Sequence, residues 1–159
     1  MIIDFTLNGK PESLTVPAEK RLPDILREDF KLTMTSTGCR RGECGVCLVL
    51  LNGRPVSSCL IPAFRLRGNS ILTIEGFQDN PEYFDIIQGF LIGNYEPCEH
   101  CLSSRILAVH ALLEVNLRPT EQEIIENVAF INCRCTDFSS LCAGIAEAGR
   151  LKEARSHGR

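Results

Sequence analysis

Nine cysteines stand in a chain of 159 residues. Four follow a distinctive spacing. Cys39, Cys44 and Cys47 read C-x4-C-x2-C, and Cys59 follows after eleven intervening residues. Each iron of a [2Fe–2S] cluster takes two thiolates, and one tight loop can supply three of the four ligands if its N–H groups curl toward the sulfurs. Gly42 and Gly45 permit the positive φ and close approach that such a curl demands. Cys59, expected on the neighbouring strand, closes the fourth position. A structural zinc site or free thiols are the alternatives. Zinc sites built from four cysteines usually pair two short knuckles, so three cysteines within nine residues favour [2Fe–2S].

A second set is Cys98-Glu99-His100-Cys101 with Cys133-Arg134-Cys135. Neither C-x-x-C nor C-x-C is specific alone. Two such pairs brought together on the axis of a helical bundle give four thiolates and a second metal site. A Rieske arrangement would need a second cysteine–histidine pair, and His110 and His157 have no suitable cysteine beside them. A thioredoxin-like redox pair would need a preceding strand in an α/β context, which is missing. Cys142 falls at helical spacing with Leu141 and Ile145 and reads as core. His110 reads as a satisfied helix-face histidine.

Composition narrows the class. Hydrophobic residues make up 44% of the chain, enough for a packed core. Two half-size domains would each have a thin core and would need a staple such as a metal. The net charge of −3 offers no phosphate-binding surface, and with no Trp and two Tyr there are few platforms for stacking bases. The basic C-terminal residues Arg150, Lys152, Arg155 and Arg159 read as a solvated helix end. No apolar run approaches a membrane span, and Met1 to Phe5 lacks the basic and apolar regions of a signal peptide. A reducing cytoplasmic location is expected, where clustered cysteines point to metal rather than disulfides.

Two halves must position these thiols. In the first, Ile2 to Leu7 and Leu14 to Val16 read as strands joined at Asn8-Gly9. Leu22 to Phe30 carries Leu22, Ile25, Leu26 and Phe30 at helical spacing behind Pro23. Residues 36–47 form a loop. Val46 to Leu51 and Val56 to Ile61 flank the Asn52-Gly53 turn, and Ser70 to Ile74 adds a strand. Residues 76–81 read as a linker. After it the period changes from 2 to 3.6. Glu82 to Gly93 is expected to be a helix with Phe84, Ile87, Phe90 and Leu91 on one face. Leu102 to Asn116 follows, then a helix opened by the capping box Thr120-Glu121-Gln122-Glu123, then one within Phe138 to Arg155. Four short helices make a small bundle.

Both constellations, in this order, resemble the small iron–sulfur subunit of the molybdenum hydroxylases, the group of xanthine dehydrogenase, aldehyde oxidoreductase and carbon monoxide dehydrogenase. The resemblance covers essentially the whole chain and rests on Asn8-Gly9, Gly38 to Cys47, Asn52-Gly53, Cys59, Thr73-Ile74-Glu75-Gly76, Phe90, the capping box at Thr120, and Cys133-Arg134-Cys135-Thr136. It implies an α+β fold: a β-grasp, plant-type ferredoxin-like domain over 1–76, then a four-helix domain over 77–159. It implies that Cys39, Cys44, Cys47 and Cys59 hold an outer [2Fe–2S] cluster and that Cys98, Cys101, Cys133 and Cys135 hold an inner one. It further implies a hetero-oligomer in which a large subunit binds molybdopterin and a medium subunit binds FAD, with electrons passing from the first through this chain to the second. Substrate chemistry would reside on the partners.

The sequence departs from the family around the first inner pair. The family's Gln-Cys-Gly-x-Cys-Thr-Pro-Gly is here Pro97-Cys98-Glu99-His100-Cys101-Leu102-Ser103-Ser104, and the Gln that usually contacts the pterin is replaced by Pro97, which offers neither a side-chain amide nor an N–H. An altered pterin contact or an unusual partner is expected. A stand-alone ferredoxin-type carrier and a zinc-stabilised assembly protein without redox function are the alternatives from other classes.

Overall fold

The computed structural model describes residues 1–158; Arg159, counted above with the basic C-terminus, lies outside the described residues. The first half is a five-stranded sheet in the order β2-β1-β5-β3-β4. Strands β1 (Ile2–Leu7) and β2 (Lys10–Thr15) are antiparallel, as are β3 (Leu48–Leu51) and β4 (Arg54–Ser57). The last strand, β5 (Ser70–Leu72), runs parallel to β1 and antiparallel to β3. Both hairpins turn at Asn-Gly pairs with all four residues in the left-handed region: Asn8 at φ 50° and Gly9 at 79°, Asn52 at 51° and Gly53 at 78°. Such turns match the twist of the strands they join.

One helical turn crosses the sheet. The sequence predicts a single helix over Leu22 to Phe30; the structure has α1 (Leu22–Asp24) opening into a wider π-type turn, Ile25–Asp29, closed by Phe30 N–H donating to Ile25 O at 3.3 Å. Its Leu22, Ile25 and Leu26 bury against Ile3, Phe5, Leu7 and Ile71 on one face of the sheet.

The return strand after Asn52-Gly53 stops at Ser57, earlier than expected. Ser58–Leu60 forms a 3-10 turn, so Cys59 sits on that turn and not on a strand. The expected linker is also more structured than its composition suggests. Thr73 leads into α2 (Ile74–Phe77), Phe77 is 1% exposed, and a Cβ on Gly76 would meet Asn8 at 2.4 Å. The Asn8 side chain accepts from Thr73 N at 2.8 Å, tying the first turn to this segment.

The second half comprises α3 (Pro81–Ile92), α4 (Glu99–Val115), α5 (Glu121–Asn127) and α6 (Phe138–His157). Asn80, Thr120 and Asp137 cap α3, α5 and α6, with the full capping box present at Thr120 and Glu123. The apolar face expected of α3 is half right. Phe90 is buried and Ile87 packs against the core, but Phe84 and Leu91 are 60% and 58% exposed, and Glu82, Ile86 and Gly89 are buried instead. The C-terminal cations are not simply solvated: Lys152 reaches Glu82 at 3.0 Å and Arg155 reaches Asp85 at 2.8 Å. Among the described residues no helix is long and apolar enough to cross a membrane.

The two halves share one core. On β3, Val49 faces α1 while Leu48 and Leu50 pack with Ile74, Phe77 and the apolar side of α4. A strand buried on both faces reads as an unbroken apolar run, and Leu48-Val49-Leu50-Leu51 is one.

Candidate metal centres

The loop before β3 places the first thiol set. Arg40 (φ 58°), Gly42 (84°) and Gly45 (72°) take left-handed backbone, which curls the chain tightly. The N–H groups of Glu43, Cys44 and Arg41 then point at Cys39 Sγ, at 3.2, 3.3 and 3.5 Å, and Cys39 N–H points at Cys44 Sγ at 3.4 Å. These main-chain donors hold the Cys39 thiol down at about 6. Cys47 and Cys59 pair at the base of the loop, both buried. Burial, followed by the neighbouring Cys47, pushes the Cys59 thiol up to about 11. The curl and the aimed N–H groups expected from Gly42 and Gly45 are both present.

The second set gathers where α4 begins. Cys98 is the N-cap of α4 and makes no side-chain cap bond, so its sulfur is free for other work. Cys101 lies in the first turn, and Cys133 and Cys135 arrive from the α5–α6 connection. The four sulfurs lie within 4.8 Å of one another. Cys98 and Cys133 are 3.6 Å apart, Cys101 and Cys135 3.5 Å, Cys98 and Cys101 3.8 Å. Burial pushes the Cys101 and Cys133 thiols up. Burial also acts upward on Cys135, but the N–H of Cys98 at 3.4 Å and the adjoining thiols outweigh it and bring Cys135 to about 7.

Four thiols this close cannot all ionise in each other's presence unless a cation compensates them. The surroundings suit such a cation–thiolate group. The positive end of the α4 dipole lies at Cys98–Cys101. Beside the set, Nε of the buried Arg105 has no hydrogen-bond partner, and the buried Tyr95 hydroxyl has only the Thr136 side chain near it. Tyr95 is 1% exposed and lies within electrostatic reach of Cys101 and Cys135. Unpaired buried donors are costly. Four convergent thiols are the donor set that a thiolate-bound metal group, an iron–sulfur group included, requires.

The two sets adjoin. Asn132 N–H donates to Cys44 O at 2.9 Å, joining the loop of the first set to the residue before Cys133. Glycine makes this approach possible: a Cβ on Gly45 would meet Ile131 Cα at 3.1 Å. His100 reaches back toward the first loop, with Nε2 3.8 Å from where a Cβ on Gly38 would lie. Cys142 is half-buried against the helical core, as its spacing suggests, and is not among the four gathered thiols. His110 lies on its helix face with Nδ1 2.9 Å from Glu82 Oε1 and the ring 4.5 Å from that of Phe77, a close contact that lacks hydrogen-bond alignment, and it stands with Glu82 and Glu114 in a second group of possible ligand atoms.

Tyr95, Arg105 and Asn132 escape a reading of ligand types. The one signal for Arg105 is local: it is a lone charge in the apolar run of α4, one turn after Cys101.

The chain matches two family models. The one described as "2Fe-2S iron-sulfur cluster binding domain" covers residues 5–69, and the one described as "[2Fe-2S] binding domain" covers residues 73–146. Among curated proteins it is 38% identical to the nicotinate dehydrogenase small FeS subunit of Eubacterium barkeri, over 92% of this chain and 93% of that protein. Among solved structures it superposes on a chain of quinoline 2-oxidoreductase from Pseudomonas putida 86 with a TM-score of 0.87 at 32% identity, covering 98% of this chain and 96% of that one. It also matches the aldehyde oxidoreductase of Desulfovibrio gigas, with a TM-score of 0.85 at 29% identity, where 98% of this chain corresponds to 17% of the longer one.

Proposed function

Because this chain belongs to the [2Fe–2S] iron–sulfur subunits of molybdenum-hydroxylase-type oxidoreductases, and so serves electron transfer in an oxidoreductase, we propose that its eight clustered cysteines hold two [2Fe–2S] groups. Cys39, Cys44, Cys47 and Cys59 would hold the outer one, and Cys98, Cys101, Cys133 and Cys135 the inner one. Each group, when bound, would supply reversible one-electron chemistry.

The observation that carries this reading is the gathering of four inner thiols within 4.8 Å beside the N–H-lined loop of Cys39 and Cys44, the two joined by the hydrogen bond from Asn132 N–H to Cys44 O. The main-chain donors around Cys39 stabilise negative charge on sulfur. The shared core holds the two loops at a fixed separation.

The expected partners are a large molybdopterin-binding subunit on the side of Cys98 and Cys135 and a medium FAD-binding subunit near Cys39, in a cytoplasmic hetero-oligomer. Relatives named for nicotinate and quinoline favour a nitrogen heterocycle as the substrate of the large subunit. At the inner end, Pro97 offers no N–H and Glu99 and His100 are exposed, so a pterin contact through this segment would differ from that of the family at large.

The test is metal analysis of the chain purified in its native complex. About four irons and four acid-labile sulfides per chain, with two distinct EPR signals on reduction, are expected. Cys135→Ser should remove one signal and keep the other. Zinc in place of iron, or about two irons with one signal, would overturn the reading. Molybdenum and flavin co-purifying with the chain would support the partners named.

A further inference from the structure

Arg105 is a buried cation with no carboxylate within ion-pair distance among the described residues. It is 5% exposed. Its terminal nitrogens donate to the main-chain oxygens of Val128 at 2.7 Å and Ile131 at 3.0 Å. Its Nε donates to nothing, and among the described residues no ion pair includes it. Two neutral carbonyls do not compensate a buried charge, and guanidinium does not escape the cost by losing its proton. Such a residue calls for a counter-charge, and no carboxylate of the described residues pairs with it directly.

The place of that counter-charge follows from the helix. Arg105 is one turn beyond Cys101 on α4, so the two project from the same face. Arg105 and Cys133 line one cavity of about 230 Å³, together with Thr136, Leu141 and Asp137, whose carboxylate is taken up by the N–H and hydroxyl of Ser140 at the start of α6. The buried Tyr95 hydroxyl lies within electrostatic reach of Arg105, Cys101 and Cys135 alike. Arg105 and the Tyr95 hydroxyl thus lie together on the protein side of the inner thiol set.

We infer that Arg105 is the buried counter-charge of the inner [2Fe–2S] site, setting its reduction potential while clamping the loop that delivers Cys133. The inference rests on the reading of the four inner thiols as cluster ligands. Two ferric ions against two sulfides and four thiolates leave a net dianion. One electron from a donor turns one ferric ion ferrous and adds one negative charge, and Arg105 keeps its proton throughout. A fixed cation stabilises the more negative, reduced form more, so Arg105 raises the potential of this site. The exposed neighbours Glu99 and Arg134 face water, where their influence is screened. Arg105 is a positioning residue in its hydrogen bonds and a potential-setting one in its charge.

The experiment is a redox titration of the iron-loaded full chain, with dithionite as reductant and each site followed by its own EPR signal. Arg105→Met should lower the one-electron equilibrium constant of the inner site by at least tenfold, about 59 mV, and leave the outer site unchanged. Arg105→Lys should stay close to wild type. If Arg105→Met does not take up inner-site iron, Arg105→Gln is titrated in its place with the same expectation, since it keeps an amide donor for the loop carbonyls. Neutral variants that fail to assemble a site which Arg105→Lys assembles at the wild-type potential would also mark charge as the requirement. An unchanged potential in the neutral variant, equal shifts in Lys and Met, or failure of every variant to assemble would overturn the inference. Inner-site iron absent from the wild type would overturn the reading beneath it.

Discussion

Glu82 sits in the first turn of α3 with 4% of its surface exposed, His110 Nδ1 at 2.9 Å and Lys152 Nζ at 3.0 Å. Burial acts to push its carboxyl up, and His110 and Lys152 together outweigh that and hold it below the ordinary 4.5. A carboxylate with a depressed folded-state value contributes stability that is present above about pH 4.5 and is lost as pH falls through the folded value. Glu82→Gln should cost about 3 kcal/mol at pH 7, because it leaves Lys152 with only Glu114 and removes the carboxylate 2.9 Å from His110 Nδ1. The same variant should show a weaker loss of stability between pH 5 and 3, read by urea denaturation across that range. An acid limb identical to wild type would sink this assignment. The network is illegible in sequence because its members, Glu82, His110, Glu114 and Lys152, span seventy residues with no local pattern. The thiols were legible because ligands of one small group must be closely spaced. Arg105 and Tyr95 were not, since their partners are set by folding.

The contact between α3 and α6 shows where periodicity misleads. A Cβ on Gly89 would lie 2.5 Å from Ala148 N, and one on Gly93 2.3 Å from Gly144 N. The helices therefore meet along glycine and alanine, which carry little hydrophobic signal. The strongly apolar Phe84 and Leu91 are left on the outside, so a search for an apolar stripe finds Ile87 and Phe90 but adds two outward residues and misses Gly89. Close backbone approach gains dispersion contacts that a larger side chain would remove. Gly89→Ala should destabilise by about 2 kcal/mol, although alanine has the higher helix propensity. The expected readout is a lower urea midpoint with an unchanged slope; a variant at or above wild-type stability would show that the helices separate freely. Strand pairing was more legible, since the Asn-Gly turns pin register locally. The 3-10 turn at Cys59 was not, because Ser58-Cys59-Leu60 continues the composition of the strand before it.

At the scale of the molecule, a division into 1–76 and 77–159 would pass through α2, whose Ile74 and Phe77 both belong to the core shared with α4. The change of period marks a change of element type, and the burial of β3 on both faces joins what the period separates. This joint core is also what keeps the Gly45 loop against Ile131 and the Asn132 N–H on Cys44 O. We propose accordingly that the halves unfold as one unit. Leu50 is 2% exposed and sits on the face of β3 that α4 covers. Leu50→Ala should cost about 3 kcal/mol, through lost transfer energy and the cavity left behind. Native-state hydrogen exchange should show that loss in the slowest amides of α4 as well as in those of β3. Protection lost in β3 alone would mean two independent domains, and the spacing of the thiol sets would then depend on the Asn132–Cys44 hydrogen bond without support from a common core.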